Sequence, residues 1–263
     1  MSKLPPFILL CVTLLAVAPT AAKRSPIAPA VLEAKWQNYA AGAAETAPAM
    51  QFPYAHCFQR AAAAHELPET LLLAVARGES DFEPRARSHA NAYGLMQILW
   101  PGTAKHLGIH RLSELTEPCT NVDAGARYLK ELLAHFDGNL HRALAAYNYG
   151  PSRIPVSGGR LPEGAVWYSS YIFRHLDYVL NGARKKQRHS KPRFYADQGR
   201  LYIIRFDRPY RAAALVDSLQ PDFGELRLDW FRLPAGGFDV VLQYADKAER
   251  RRGEQLLDSM GFG

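Results

Sequence analysis

A single carboxylate beside a glycine is the first candidate for chemistry in this sequence. Glu79 follows Gly78, and both come soon after the apolar run 71–75. A glycine in this place predicts the end of a helix, because glycine readily adopts the left-handed conformation that terminates helices. Burial against that helix would raise the pKa of the Glu79 carboxyl toward the range that suits a general acid. Taken alone, residues 76–82 fit an ordinary solvated surface glutamate better, so a function needs support from the rest of the chain.

Three other stretches carry side chains suited to binding sugars. Amide and phenol groups hydrogen-bond sugar hydroxyls and acetamides, and neighbouring apolar groups give surface on which sugar rings stack. Taken singly, the stretches also fit a glycine turn, a helix end and an aromatic helix face. They are residues 92–98, 145–151 and 168–172.

Together with Glu79, these stretches resemble the family 1 lytic transglycosylases, which are relatives of goose-type lysozyme. The resemblance covers roughly residues 54–180 and implies an all-α, lysozyme-like catalytic domain that cleaves peptidoglycan. The family's motifs occur in its order and spacing: Glu-Ser at 79–80, Gly-Leu-Met-Gln-Ile at 94–98, Asn-x-Asp-Ala-Gly-x-x-Tyr-Leu at 121–129 and Ala-Ala-Tyr-Asn-x-Gly-Pro at 145–151.

The resemblance also implies roles for the matched residues. Glu79 becomes the catalytic general acid and base, and Ser80 supports it. Ser80 is counted with the substrate-binding residues. The others in that set are Met96 and Gln97 beside the N-acetyl group, Tyr147 and Asn148 at the glycan subsites, and Tyr171.

The family's last motif, Glu-Thr-x-x-Tyr-Val, is only partly matched. Trp167 and Tyr168 stand in place of Glu-Thr, and Ile172 stands in place of Val. Of that motif, Tyr171 alone carries over.

The implied reaction breaks the β-1,4 bond between MurNAc and GlcNAc and forms a 1,6-anhydro-MurNAc end, with no cofactor and no metal. Glu79 would protonate the glycosidic oxygen and then accept the proton of the C6 hydroxyl, while the muramic acetamide stabilises the sugar cation. A two-carboxylate hydrolase needs a second acid at about 5–9.5 Å. Asp81 and Glu83 are the near candidates, and neither lies in a matched catalytic motif. Two alternatives stay open: a hydrolytic lysozyme-like muramidase and a non-catalytic scaffold that binds peptidoglycan.

The first 22 residues predict a cleavable signal peptide. Lys3 precedes the apolar run 7–18, and small residues follow at 19–22. This arrangement is typical of secretory signals, and the run is shorter than a usual membrane span. Cleavage after Ala22 is preferred, with Ala18 as the alternative. We therefore expect a periplasmic protein with no stable membrane span after cleavage.

Signal cleavage would leave Cys57 and Cys119 of the three cysteines. In an oxidising compartment one disulfide is the simplest interpretation, and two isolated buried thiols are the alternative. Cys57 together with Pro-Cys-Thr-Asn at 118–121 resembles the subgroup of the family that is associated with pili and with secretion or conjugation machines. In that subgroup the two cysteines are expected to be bridged, and components of such an apparatus become candidate partners.

Composition sets few limits on partners. The chain has 263 residues, of which 48% are hydrophobic and 22% charged, as is ordinary for a soluble globular protein. A net charge of +7 suits an acidic polymer, an anionic membrane surface or nucleic acid and selects none of them. Because no nucleic-acid motif accompanies the charge, we expect no nucleic-acid partner.

Periodicity predicts an α+β protein in which a helical domain precedes a small mixed domain. Helical spacing holds throughout the helical domain, which includes a helix that ends near Arg77 and one that begins at Val122 after a cap at Thr120 or Asn121. The mixed domain has the order βαββα, which fits a ferredoxin-like module or a sporulation-related repeat (SPOR) domain. The expected segments are 23–53, an Ala/Pro-rich tether with a short helix at 31–39; 54–182, the helical domain; 183–199, a basic linker; and 200–263, the mixed domain.

Overall fold

The computed structural model describes residues 28–182, 199–224, 226–233 and 237–262. The predicted signal peptide, the first residues of the tether, nearly all of the basic linker and the turn at 234–236 lie outside these residues. None of the described helices is long and apolar enough to cross a membrane.

The helical domain contains seven α-helices and one short hairpin among the described residues. Prolines at the starts of the first and fifth helices suit positions whose N–H groups have no partner within the helix. The helices are α1 Pro29–Gly42, α2 Ala55–His65, α3 Glu69–Ser80, α4 Gly102–His106, α5 Pro118–His135, α6 Leu140–Tyr149 and α7 Glu163–Asn181, and the antiparallel hairpin strands are β1 Ala92–Tyr93 and β2 Ile98–Leu99.

The remaining described residues form the C-terminal module, 199–262. Its three strands make one antiparallel sheet in the order β3-β5-β4. Asp246 caps the last helix as predicted, accepting hydrogen bonds from two main-chain N–H groups. The predicted mixture of helix and strand is confirmed, in the order β3 Gly199–Phe206, α8 Pro209–Phe223, β4 Arg227–Arg232, β5 Phe238–Tyr244 and α9 Lys247–Ser259.

Helix α3 runs through the core, and it does not end where the sequence predicted. It continues past Gly78 to Ser80, and Asp81 takes the left-handed conformation with a φ of 50°. Gly78 is needed for packing instead, because a Cβ atom there would lie 2.6 Å from Cδ1 of Ile172 on α7. Glu79 is therefore held inside the last turn of a buried helix.

The prediction of a tether over 23–53 is wrong for its helical part. Helix α1 is longer than expected and packs into the core through Leu32, Trp36 and Tyr39, which are all buried. The indole N–H of Trp36 donates to the hydroxyl of Ser169 on α7 at 2.8 Å. Alanine-rich composition suggested a linker, but three large side chains at helical spacing bury enough apolar surface to fix this helix.

Asn121 is also not the helix cap that the sequence predicted. Glu117 caps α5 by accepting from the N–H groups of Cys119 and Thr120. Asn121 is buried inside the helix, where its amide N–H₂ donates to the carbonyls of Tyr93 and Leu115 and its oxygen accepts from the N–H of Met96. These bonds hold the hairpin segment, whose two short strands the all-α prediction for 54–182 had missed.

A disulfide joins α2 to α5. The Cα atoms of Cys57 and Cys119 are 4.8 Å apart, and the two residues are separated by 62 positions in the sequence. The loop that the bridge closes includes the whole of α3 and the hairpin, so the bridge restrains the segment that carries Glu79.

Close packing at Gly125 gives a direct test of how the hairpin segment is held. A Cβ atom at Gly125 would lie 2.6 Å from the Cβ of Met96, which cannot rotate away. We expect Gly125→Ala to lower the free energy of unfolding by about 1–3 kcal/mol, measured by urea denaturation. As a control, Gly42→Ala adds a methyl group with no atom within 4 Å and should change stability by less than about 0.5 kcal/mol. Equal stability of Gly125→Ala and the wild type would show that the hairpin segment can move away from α5.

Candidate active site

Glu79 is a buried carboxyl with a directed hydrogen bond. It is 8% exposed, and the hydroxyl of Tyr168 on α7 donates to its Oε1 at 2.6 Å. Burial raises the pKa of Glu79, because the charged form loses its water, while the positive charge of Arg208 and the bond from Tyr168 act in the opposite direction. The carboxyl therefore keeps its proton to a higher pH than an exposed glutamate, as a general acid requires.

Ser80 and Tyr171 fix the end of α3 on either side of Glu79. The Ser80 hydroxyl donates to the carbonyl of Leu95 at 2.8 Å, and the Tyr171 hydroxyl donates to the carbonyl of Gly78 at 3.2 Å. Both side chains are buried, and buried hydroxyls need such partners. The structure thus gives both residues a positioning role, which differs from the substrate contact predicted for them.

The hairpin segment supplies Gln97 to the site. Gln97 has a left-handed backbone with a φ of 50°, and its amide donates to the carbonyls of Ala86 and Gly94 at 3.2 and 3.1 Å. Its side chain is half-buried and lines a cavity together with Glu79. Met96 differs from its predicted place in the cleft, because its side chain is fully buried against Gly125.

Tyr147 and Asn148 lie at the end of α6, and both are half-buried. The Tyr147 hydroxyl donates to the carbonyl of Met96 at 2.9 Å, and its ring packs against Tyr128. Burial, and then the nearby charge of Glu79, raise the pKa of Tyr147 well above its ordinary value. Tyr147 therefore remains a neutral hydrogen-bond donor beside the carboxyl.

Tyr168 is a site residue that the sequence placed in the sugar-binding stretch 168–172 and that departs from the family motif, so no individual role was predicted for it. It is 1% exposed and makes the bond to Glu79 described above. Its position three residues before Tyr171 puts both hydroxyls on one face of α7, toward the end of α3. That spacing was the available signal for Tyr168.

The C-terminal module contributes the other wall of the site. Arg208 precedes α8 and lies near enough to Glu79 for its charge to act on the carboxyl. Arg232, at the end of β4, donates from Nη1 to the carbonyl of Ser80. The cavity between these residues and Glu79 has a volume of about 20 Å³. No sequence pattern placed this module against α3.

Three other carboxylates lie near the site, in different settings. Asp81 is exposed, and the Glu83 side chain accepts a hydrogen bond from the N–H of Arg85. Neither is among the residues that line the cavity at Glu79, whereas Asp207 is. Asp207 belongs to the C-terminal module, is 64% exposed and lies 3.7 Å from a ring nitrogen of His89.

One cluster in the described part of the chain has the residue types of a metal site. His56, Cys57 and Cys119 place their ligand atoms within 4.8 Å of one another. Both sulfur atoms belong to the disulfide, so they do not offer the thiolates that metal binding needs.

Known proteins are similar to part of this chain. Residues 56–160 match the family model described as Transglycosylase SLT domain. The soluble lytic murein transglycosylase of Escherichia coli (strain K12) is 37% identical over 144 residues, which are 50% of this chain and 22% of the relative. The membrane-bound lytic murein transglycosylase C of Klebsiella pneumoniae (strain 342) is 34% identical over 115 residues, which are 38% of this chain and 32% of the relative.

Among solved structures, the 70 kDa soluble lytic transglycosylase from Escherichia coli is similar to 57% of this chain and 26% of its own chain, at 31% identity and a TM-score of 0.40. This chain spans about a fifth to a third of the length of the relatives named above. The matched residues, 56–160, lie within the helical domain and include Glu79, Gln97 and Tyr147.

The buried charge of Glu79 predicts a pH-dependent cost in stability. Because its pKa is raised in the folded state, the folded protein binds this proton more tightly than the unfolded chain does. The contribution of Glu79 to stability is therefore fully present below the unfolded pKa of about 4.3 and is lost as the pH rises through the folded pKa. Gln keeps an oxygen that accepts from Tyr168 but cannot ionise. We expect Glu79→Gln to raise the Tm at pH 7, by about 2–4 °C for each kcal/mol gained in the free energy of unfolding. The gain should vanish near pH 4, where Glu79 is protonated in both states.

Differential scanning calorimetry at both pH values measures this effect. Glu66→Gln is the matched control, since Glu66 is 84% exposed and should give no such gain at pH 7. A Tm of Glu79→Gln at or below that of the wild type at pH 7 would contradict the argument.

Proposed function

We propose that this protein is a lytic transglycosylase that cleaves peptidoglycan glycan strands, with Glu79 as its one catalytic acid and base. The carrying observation is the buried Glu79 carboxyl under the Tyr168 hydroxyl, at the end of a helix that lies inside the SLT domain match. The relatives bear names of the same activity, which supports the reaction class.

The proposed reaction uses the two protonation states of Glu79 in turn. Protonated Glu79 donates to the glycosidic oxygen between MurNAc and GlcNAc, and the muramic acetamide oxygen stabilises the developing sugar cation. The carboxylate that results takes the proton of the C6 hydroxyl, whose oxygen closes the 1,6-anhydro ring on C1. Tyr168 keeps Oε1 oriented in both steps, and Gln97 and Tyr147 present polar groups beside it.

A hydrolytic muramidase is the second candidate, and one observation favours it. Asp207 lines the cavity with Glu79 and could serve as the second carboxylate that a hydrolase uses. Its high exposure and its place on the C-terminal module argue against a fixed catalytic position. The two reactions differ in product, because hydrolysis leaves a reducing end and transglycosylation leaves an anhydro end.

We further propose export to the periplasm and local remodelling of the wall for an envelope-spanning secretion, conjugation or pilus apparatus. The apolar N-terminal run and the disulfide support export, because disulfides persist in oxidising compartments. The sheet order β3-β5-β4 supports a ferredoxin-like or SPOR-like C-terminal module. A SPOR-like module would bind glycan strands.

Glu79→Gln is expected to remove the activity. Loss of the proposed proton donor should lower cleavage of purified sacculi by about 10²–10⁴-fold. Mass spectrometry of the released muropeptides measures the anhydro products. Asp81→Asn is the matched control, because Asp81 is exposed and asparagine tolerates its left-handed backbone. Asp207→Asn should also retain the anhydro products. If Asp207→Asn is inactive and the wild type releases products with reducing ends, the protein is a hydrolase. Equal yields from Glu79→Gln and the wild type would refute the proposal.

Tyr168→Phe is expected to move the pH profile. The Tyr168 hydrogen bond stabilises the charged carboxylate and so lowers the pKa of Glu79. Without it the pKa rises, Glu79 stays protonated to higher pH, and the alkaline limb of kcat/KM moves up. Tyr171→Phe is the control on the same helix, since its hydroxyl contacts the carbonyl of Gly78 and should leave the limb in place whatever it does to the rate. If the alkaline limb of kcat/KM stays in place in Tyr168→Phe, then Tyr168 does not influence the ionisation of Glu79.

A further inference from the structure

The C-terminal module lies directly over Glu79. Tyr210 of α8 packs edge-on against the ring of Tyr168, with ring centroids 5.5 Å apart, and is 4% exposed. Arg232 of β4 bonds to the carbonyl of Ser80, the residue after Glu79. Tyr210 also belongs to the same continuous core as the buried residues of the helical domain. The module is therefore docked on the site itself.

This arrangement leaves no room for a sugar at the carboxyl. The cavity at Glu79 has a volume of about 20 Å³, which holds about one water molecule. Pockets that bind organic ligands measure about 300–1,000 Å³. A glycosidic oxygen therefore cannot come within hydrogen-bond distance of Glu79 while the module is docked.

A much larger groove lies next to this cavity. It has a volume of about 910 Å³, and its walls come from both parts of the chain, including Arg85 and Arg87 on one side and Arg232 and Leu233 on the other. Arg87 and Arg232 also line the small cavity. Arg232 thus stands where the open groove meets the closed space around Glu79.

Apart from the buried Tyr210, the polar docking contacts are of kinds that can be exchanged for water or substrate. The Arg232 side chain donates to the main-chain carbonyl of Ser80, the Arg208 charge acts on Glu79, and an ion pair between Arg174 of α7 and Asp217 of α8 is partly exposed at 42% and 43%. Exposed pairs of this type contribute little to stability. The module also has a small core of its own, centred on Leu228 and Leu242, so its fold does not depend only on the docking.

We propose that the C-terminal module is an autoinhibitory cover that must leave Glu79 before a glycan strand can reach it. This proposal rests on the proposed function in one respect, which is that the blocked reaction is cleavage of glycan. The form described here is the closed, inactive one, and the contacts of Tyr210, Arg208 and Arg232 are the ones that break on opening.

Chemical labelling tests the cover without any reference to activity. In full-length protein carrying Cys11→Ser, Glu79→Cys places a thiol under the module. We expect a maleimide to label it about tenfold faster when Tyr210→Ala and Arg232→Ala loosen the docking. Ala146→Cys, in the core at a position with 0% exposure, is the matched control and should stay protected in both backgrounds. Equal labelling rates at position 79 with intact and loosened docking would overturn the cover.

Cross-linking tests its effect on the reaction. In the same Cys11→Ser protein, Arg174→Cys and Asp217→Cys can be joined by a short bismaleimide, which holds α8 against α7. We expect the cross-link to lower cleavage of sacculi by about tenfold or more, and the Tyr210→Ala, Arg232→Ala protein to be more active than the wild type. Arg174→Cys alone, treated with the same reagent, should keep its activity.

The outcomes separate the two proposals. A cross-linked protein as active as the untreated double variant would overturn the cover and leave the transglycosylase standing. Absence of cleavage in every form, the loosened one included, would refute the proposed function, and the labelling rates would still decide the cover.

Discussion

The close approach of α3 and α7 is the contact on which the site depends. Gly78 has no side chain, so Ile172 can lie against the backbone of α3. This approach brings two tyrosines of α7 onto the last turn of α3: Tyr171 bonds the carbonyl of Gly78, and Tyr168 bonds the carboxyl of Glu79. The glutamate is thereby removed from water and oriented by the same packing. A Cβ atom at position 78 would also lie 3.1 Å from the ring of Tyr171, so a larger residue there would displace side chains of α7 that line the end of α3.

The hairpin segment reaches the site by a second route, through buried polar groups. From inside α5, Asn121 satisfies two main-chain groups of the hairpin segment and the carbonyl of Leu115, and Gly125 one turn later lets Met96 lie flat on the same helix. Because buried main-chain groups are costly without partners, this network fixes the backbone of the segment. This network therefore positions Gln97 and the carbonyl of Met96, which accepts a hydrogen bond from the Tyr147 hydroxyl. Residues first considered for contact with sugar therefore act largely by holding the backbone around Glu79.

Features set by residues close together in the sequence were predicted best, whereas most contacts between residues far apart in the sequence were not predicted. Alternating and helical periods predicted the order of elements in the C-terminal module, because strand faces and helix faces are local properties. Gly78 was misjudged because glycine serves both to end helices and to admit close neighbours, and only the neighbour on α7 distinguishes the two. The alanine-rich α1 was misjudged because composition hid Trp36, whose partner Ser169 is 133 residues away. The docking of Arg208 and Arg232 on α3 could not be predicted, since it joins residues more than a hundred positions apart without any local pattern.

The disulfide would keep the chain in one piece after a proteolytic cut between its two cysteines. Cys57 and Cys119 are 62 positions apart in the sequence, and the chain between them carries Glu79, the hairpin and Gln97. In the loop-entropy model, closing a loop of this length raises the free energy of the unfolded chain by about 4 kcal/mol. A single cut within the enclosed chain would leave both fragments covalently attached, so the nicked halves could re-associate as a one-molecule process whose rate does not depend on dilution.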